Sequence, residues 1–248
     1  MQYKRILALG DIHGKFSKLS SVFNKINFDS EKDFLILLGD YIDRGEENLH
    51  CLQWAMKISE LPNVVALRGN HEQMMLDSFP DGKFMPTFWL PNGGNKTYKE
   101  LQEWEKFDST FLEKALNFIK NRPLYYQMFI GKQEYIFCHA GLKPGIPLSE
   151  QTADYLLWIR DAFYYYYDGD AEVVVGHTPT PYLGKIPGSA KQESYLPVRM
   201  ANKITLLDTG SFLPKGRITC MDILSGNFWQ SDDELEKDSW GKFFGKEN

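Results

Sequence analysis

The chain has 248 residues, 43% apolar, 25% charged and 15% aromatic, with a formal net charge of −5. That is a globular composition with enough chain for a sizeable core, which excludes wholesale disorder and fibrous repeats. The acidic balance argues against generic nucleic-acid binding, no apolar run approaches the ~18–20 residues that span a bilayer, and three cysteines without metal-type spacing fit a reducing compartment. The apolar run Ile6-Leu7-Ala8-Leu9 is too short for the core of a secretion signal. The expectation is a cytoplasmic protein with neither a membrane nor a nucleic-acid partner.

Arg5–Leu9 reads as a short strand ending in Gly10-Asp11. Phe16, Leu19, Val22, Phe23 and Ile26 then recur at helical spacing. Phe34–Leu38 is a continuous apolar run, as in a buried strand, and it also ends in Gly-Asp. Leu49, Leu52, Ala55 and Met56 form a second helical stripe, and Val64–Leu67 a third strand ending in Gly69-Asn70. This βαβαβ order predicts a parallel sheet with helices against it. From about Met74 to Arg122 an aromatic-rich stretch reads as mainly helical, with an irregular corner at Pro91-Asn92-Gly93-Gly94. Beyond Leu124 short strands are predicted at Tyr125–Ile130, Tyr135–Cys138, Glu172–Val175, Ile204–Leu207, Arg217–Ile223 and Asn227–Gln230. A helical stretch over Thr152–Tyr167 and a loop from Pro179 to about Arg199 lie between them. No repeat or low-complexity linker divides the chain. The expectation is one α/β domain over 1–248 with two packed sheets and an insertion at about 74–122.

The informative feature is where the polar groups stand. Four of the five histidines lie just beyond apolar strands, in Asp11-Ile12-His13, Gly69-Asn70-His71, Cys138-His139-Ala140-Gly141 and Val175-Gly176-His177-Thr178. Asp40-Tyr41-Ile42-Asp43-Arg44 ends another strand. A single Gly-Asp or His in such a place is usually a turn or a packing residue, but five strand ends so equipped are hard to attribute to turns. The carboxyl ends of strands in open α/β sheets converge on a shared crevice. Carboxylate, imidazole and amide donors gathered there suit a pair of divalent first-row metals, with Asp11 and His13 on one ion, Asp40 between two, and Asn70, His139 and His177 on the second. Arg44 and Arg68 add forked donors suited to phosphate oxygens. His50, on a helix one turn before Trp54, reads as packing, Cys138 as a small buried hydrophobe, and Phe163–Tyr167 as core and cleft wall. The acidic stretch Asp232–Glu236 reads as a solvated tail or terminal helix.

Gly10-Asp11-Ile12-His13-Gly14, Gly39-Asp40-Tyr41-Ile42-Asp43-Arg44-Gly45 and Gly69-Asn70-His71-Glu72 resemble the three signature blocks of the phosphoprotein phosphatase family within the calcineurin-like metallophosphoesterases. Cys138–Gly141, Gly176-His177-Thr178-Pro179, Leu157-Trp158-Ile159-Arg160 and Asp208-Thr209-Gly210 resemble its later motifs, in family order. The resemblance implies an α/β fold, a four-layer α/β/β/α sandwich, holding two divalent ions, with manganese first and iron or zinc accepted by the same donors. Asp11, His13 and Asp40 would hold one ion, and Asp40, Asn70, His139 and His177 the other. Arg44, Arg160 and Asn70 would face phosphate oxygens, with Arg68 either touching substrate or bracing its loop. His71, oriented by Asp43, would be the general acid, and a hydroxide shared by the ions would attack phosphorus in line.

The substrate implied is a phosphorylated protein or a dinucleotide polyphosphate. Asp43 before Arg44, Glu72 after His71, and Glu46 rather than proline after Gly45 favour a serine/threonine phosphatase over a symmetrical diadenosine tetraphosphatase. The Phe84–Trp104 region and the Pro179–Arg199 loop are expected to border the cleft and set specificity.

Overall fold

The computed structural model describes residues 3–185 and 194–232. The first strands are β1 (Arg5–Leu9), β2 (Asp33–Leu37) and β3 (Val64–Ala66), with helices α1 (Phe16–Ile26) and α2 (Asn48–Ile58) between them. Both β1·β2 and β2·β3 pair in parallel, as the βαβαβ pattern predicts. Next come helices α3 (Asn70–Asp77), α4 (Gly94–Trp104) and α5 (Phe111–Lys120), with short 3-10 turns at Pro80–Gly82 and Leu90–Asn92. The second half carries β4 (Tyr125–Ile130), β5 (Gln133–Cys138), α6 (Ala153–Trp158), α7 (Asp161–Tyr166), β6 (Glu172–Val175), β7 (Val198–Arg199), β8 (Ile204–Leu206), β9 (Thr219–Asp222) and β10 (Phe228–Gln230). One sheet runs β10-β9-β1-β2-β3 and the other β4-β5-β6-β8-β7.

Strand side chains alternate between faces, and that alternation builds the layers. Ile6, Ala8, Phe34, Ile36 and Leu38 from one sheet pack against Phe137, Val174 and Leu207 from the other, which makes a core between the sheets. Leu7, Leu9, Leu35 and Leu37 point the opposite way, into a second core with the apolar sides of α1, α2, α4 and α5. Ile136, Val173, Val175 and Leu206 face a third core under Leu156, Phe163 and Tyr164 of α6 and α7. The order is therefore helix, sheet, sheet, helix. The two-faced burial of β1 and β2 explains why their sequences read as continuous apolar runs rather than as alternation.

The helical stretch expected over Thr152–Tyr167 is two short helices, broken at Ile159–Arg160. Thr152 caps α6 with its side chain; Ile159 is extended (φ −61°, ψ 144°) and Arg160 sits at φ −132°, ψ −103°. The break turns Arg160 toward Thr178, whose Oγ1 accepts from its guanidinium at 2.6 Å. The loop expected from Pro179 also holds structure, a 3-10 stretch over Thr180–Lys185 and the edge strand β7. Part of that loop, and the acidic stretch beyond Asp232, lie outside the described residues. Among the described residues no helix is long and apolar enough to cross a membrane.

Candidate active site

Asp11 and His13 follow β1; Asp40, Asp43 and Arg44 follow β2; Asn70 and His71 open α3; His139 follows β5, His177 follows β6 and Asp208 follows β8. These are carboxyl ends of strands from both sheets, and the acids, imidazoles and Asn70 are all buried there. The turns that carry them are strained. Among the described residues eight non-glycine residues have positive φ, and five of them are His13, Asp40, Asp43, Arg44 and His177. Left-handed backbone costs an L-residue about 1–2 kcal/mol, so its concentration here marks a site that the surrounding fold over-determines. Gly39 makes one such turn possible: its φ is +98°, and a Cβ would stand 2.5 Å from the backbone nitrogen of Gly69.

Glu72 ties the turns together. Its carboxylate accepts the N–H of Asp40 and of Tyr41, each at 2.8 Å, and of Gly69 at 3.0 Å, the last closing a capping box at the start of α3. Burial and the neighbouring Asp40 charge push the Glu72 carboxyl up to about 8, against the pull of these donors.

Asp40 is the centre. Its carboxylate lies 3.5 Å from His13 Nε2, 3.4 Å from His139 Nε2 and 3.9 Å from His71 Nε2, and its Oδ1 accepts the His71 N–H at 3.0 Å. Burial acts to raise its pKa, but the surrounding imidazoles of His139, His71, His13 and His177 outweigh it and hold the group far below the usual range. Asp11 goes the other way: burial, Asp208 and Asp40 keep its proton on well above the usual carboxylate range. Burial likewise lifts Asp208 to about 6.

His13, His139 and His177 are held as neutral imidazoles. His13 Nδ1 donates to the Ile42 carbonyl (3.1 Å) and His139 Nδ1 to that of Leu38 (2.8 Å), so each turns an Nε2 lone pair toward Asp40. Burial lowers the pKa of both and of His177; Arg44 adds to the effect at His13, and His139 to that at His177. His139 Nε2 then meets two acceptors, Asn70 Oδ1 at 2.8 Å and Asp40 Oδ1 at 3.4 Å, an arrangement that needs positive charge between its members. His177 Nδ1 lies 3.0 Å from the same Asn70 oxygen, and its buried Nε2 has no hydrogen-bond partner. Asp11, Asp40 and His139 form one group whose ligand atoms lie within 4.8 Å of one another, and His13, Asp40 and His71 form another. This oxygen and imidazole set, sharing one carboxylate and short of cationic charge, fits divalent metal ions.

His71 differs from the other imidazoles because its Nδ1 is bound to Asp43 Oδ2 at 2.7 Å. Arg44 reaches His13 Nε2 with one guanidinium nitrogen (2.9 Å) and lies over the Phe212 ring at 4.2 Å. Arg160 is anchored on Thr178, which also accepts from Tyr164 Oη at 2.7 Å. Arg68 does not join them. Its guanidinium donates to the carbonyls of Ile119, Lys120 and Arg122 and to Gln73, so it braces the carboxyl end of α5, where a cation is favoured. Of the two roles expected of Arg68, touching substrate or bracing its loop, these bonds fit the brace.

Thr178, Phe212, Trp89 and Thr97 also touch the site residues; Thr178 stands in the Gly176-His177-Thr178-Pro179 motif, and nothing in the sequence marked Phe212. Trp89 and Thr97 flank the Pro91-Asn92-Gly93-Gly94 corner, inside the Phe84–Trp104 region expected to border the cleft. His50 and Cys138 pack as expected: the His50 ring lies against Phe16 and Trp104, and Cys138 is buried and free. Of the tyrosine run, Phe163, Tyr164 and Tyr167 are buried, while Tyr165 and Tyr166 are exposed.

Known proteins resemble this chain in sequence and in fold. The chain is 36% identical over 163 residues to serine/threonine-protein phosphatase 2 of Salmonella typhimurium, a match covering 64% of this chain and 69% of that one. It is 29% identical over 149 residues to a symmetrical bis(5'-nucleosyl)-tetraphosphatase of Glaesserella parasuis, covering 58% of this chain but only 47% of the relative. A crystal structure of a candidate diadenosine tetraphosphatase superposes with a TM-score of 0.63 over 92% of this chain and 93% of the other, at 17% identity, a likeness of fold. The family model for calcineurin-like phosphoesterases matches residues 4–210, and the chain belongs to that family.

Proposed function

We propose that this protein is a serine/threonine protein phosphatase that works with two divalent cations, manganese first. Asp11, His13, Asp40, Asn70, His139 and His177 would hold them, with Asp40 common to both. When bound, the cations would supply Lewis acidity toward the phosphoryl oxygens and lower the pKa of water toward ~7. The chain's own residues do the rest. Arg44 and Arg160 place forked cationic donors at the edge of the site, suited to phosphate oxygens. His71, with Nδ1 fixed on Asp43, presents Nε2 on the Asp40 side and delivers its proton to the departing alkoxide oxygen. The observation that carries this reading is the 2.7 Å His71–Asp43 pair beside the shared Asp40, because it supplies an acid next to the donor set. Its serine/threonine preference rests on the similarity to the Salmonella phosphatase across two thirds of that protein. Three buried free cysteines support a reducing, cytoplasmic setting. Residues 74–122 act as an insertion on a single catalytic domain.

A second reading, symmetrical diadenosine tetraphosphate hydrolysis, is favoured by one feature. Phe88 and Trp158, both exposed, pair at 6.0 Å, and Trp158 stands edge-on to His177 at 6.2 Å. Such a wall could stack a purine. The deciding experiment compares kcat/KM for a phosphothreonine peptide and diadenosine tetraphosphate in the manganese-loaded protein, with a chelator as blank. Preference for the peptide is expected; preference for the dinucleotide would reverse the assignment.

A further inference from the structure

The corner between Trp89 and Thr97 encloses the carboxylate that orients the acid. Asp43 is fully buried, and each of its carboxylate oxygens accepts from this corner. Thr97 Oγ1 donates to Oδ1 at 2.6 Å, and Trp89 Nε1 donates to Oδ2 at 2.8 Å, the oxygen that also receives His71. The Asp43 backbone N–H in turn donates to Thr97 Oγ1 at 3.1 Å, which occupies a lone pair of that hydroxyl and directs its proton to the carboxylate. The Arg44 N–H donates to the Gly93 carbonyl at 3.2 Å, and Lys96 Nζ to the Arg44 carbonyl at 2.9 Å. The corner thus grips two adjacent left-handed residues, Asp43 (φ 74°) and Arg44 (φ 69°), by main chain and side chain together.

We propose that Trp89 and Thr97 are positioning residues for proton delivery by His71. They saturate and fix the Asp43 carboxylate so that its remaining hydrogen-bonding direction holds the imidazole in one orientation. The inference rests on the reading of His71 as general acid. In that step the His71 Nε2–H proton passes to the ester oxygen as the P–O bond breaks. The bonding pair stays on that oxygen, and the imidazolium becomes neutral imidazole. Loss of either donor leaves a buried carboxylate that can rotate, and the ring rotates with it.

Leaving-group dependence separates this role from a merely structural one. p-Nitrophenolate leaves without help, whereas a threonine alkoxide needs the proton. In the manganese-loaded protein, Thr97→Val removes one donor at almost unchanged volume, and Trp89→Phe removes the other together with part of a buried ring. Both are expected to lower kcat for a phosphothreonine peptide at least about tenfold while leaving p-nitrophenyl phosphate within about twofold, since general acid catalysis is worth ~10²–10⁴. Thr97→Ser restores the hydroxyl and should restore the peptide rate. A second readout needs no turnover: the low-field proton resonance of the His71–Asp43 hydrogen bond in chelator-treated protein should move in Thr97→Val and return in Thr97→Ser. Equal loss on both substrates, no loss on either, or an unmoved resonance overturns the proposal. His71→Asn tests the reading beneath it. If that variant loses both substrates equally, His71 is not the acid and the inference falls with it; if it discriminates while the other two do not, only the inference falls.

Discussion

Asp40 is the residue through which both groups of donors meet, so its loss should be felt twice. Asp40→Asn keeps the volume but removes the charge that two ions would share. Bound manganese is expected to fall from two equivalents to one or none, with kcat/KM down at least about 100-fold. Full metal content measured by elemental analysis would sink the assignment of a shared ligand. Phe212 gives a subtler case. The Arg44 guanidinium lies 4.2 Å over its ring, a contact worth ~0.5–2 kcal/mol. The strand of backbone that carries it is pinned by the buried Lys18, whose Nζ donates to the Ser211 and Gly216 carbonyls, both at 2.9 Å. Phe212→Leu should therefore cost about 2–30-fold in kcat/KM, mainly through KM for the phosphate group. Unchanged kinetics would mean that Arg44 is held by other contacts.

At the scale of elements, the site is made by interruptions. The α6–α7 break at Ile159–Arg160 abandons backbone hydrogen bonds of a longer helix, and Arg160 gains Thr178 and the His177 carbonyl in exchange. The Trp89–Thr97 corner is a second interruption, and Gly93 is its hinge. Gly93 has φ +106°, and a Cβ there would stand 2.7 Å from Arg44 Cγ. Gly93→Ala is expected to destabilise the protein by about 1–3 kcal/mol, lowering Tm by about 2–12 °C, and to reduce activity even at temperatures where it stays folded. A Tm equal to that of the parent would show that the corner relaxes freely and is no clamp.

At the scale of the whole molecule, the electrostatics of two sheets facing one another set a pH dependence. Asp11 and Asp208 have pKa values raised by burial, Asp208 to about 6. Their contribution to the stability of metal-free protein is present below the unfolded carboxylate pKa, near ~4, and is lost as pH rises through the raised values. The lowered values of His13, His139 and His177 act oppositely, since the unfolded chain takes up protons below ~6.5 that the folded imidazoles refuse. The cation increment escapes this cancellation, because it reports only the folded site, where the histidines are already neutral and carboxylate protons must be displaced. The rise in Tm on adding manganese should therefore grow as pH rises toward the raised pKa of Asp11 and level above it. A rise independent of pH, measured by thermal melts with and without chelator, would contradict it.

Much of this was legible in the linear chain, for identifiable reasons. β1, β2 and α1 were visible because burial on one or both faces leaves a continuous apolar run or a 3.6-residue stripe. The polar groups after each strand were visible because Gly-Asp, Gly-Asn and Gly-His pairs interrupt those runs abruptly. The carboxyl ends of parallel strands must then share a crevice, so Asp11, Asp40, His139 and His177 could be placed together before any coordinates. What only the tertiary structure decided is which neighbours complete those groups. Arg68 and Arg160 look alike in sequence, but one faces the end of α5 and the other Thr178, because a guanidinium goes to whichever carbonyls or hydroxyls the fold brings within reach. Thr97 lies 54 residues from Asp43, and Trp89 lies 46 away. No local periodicity records a hydrogen bond between them, since it exists only once the segment from Trp89 to Thr97 has folded back over the turn after β2.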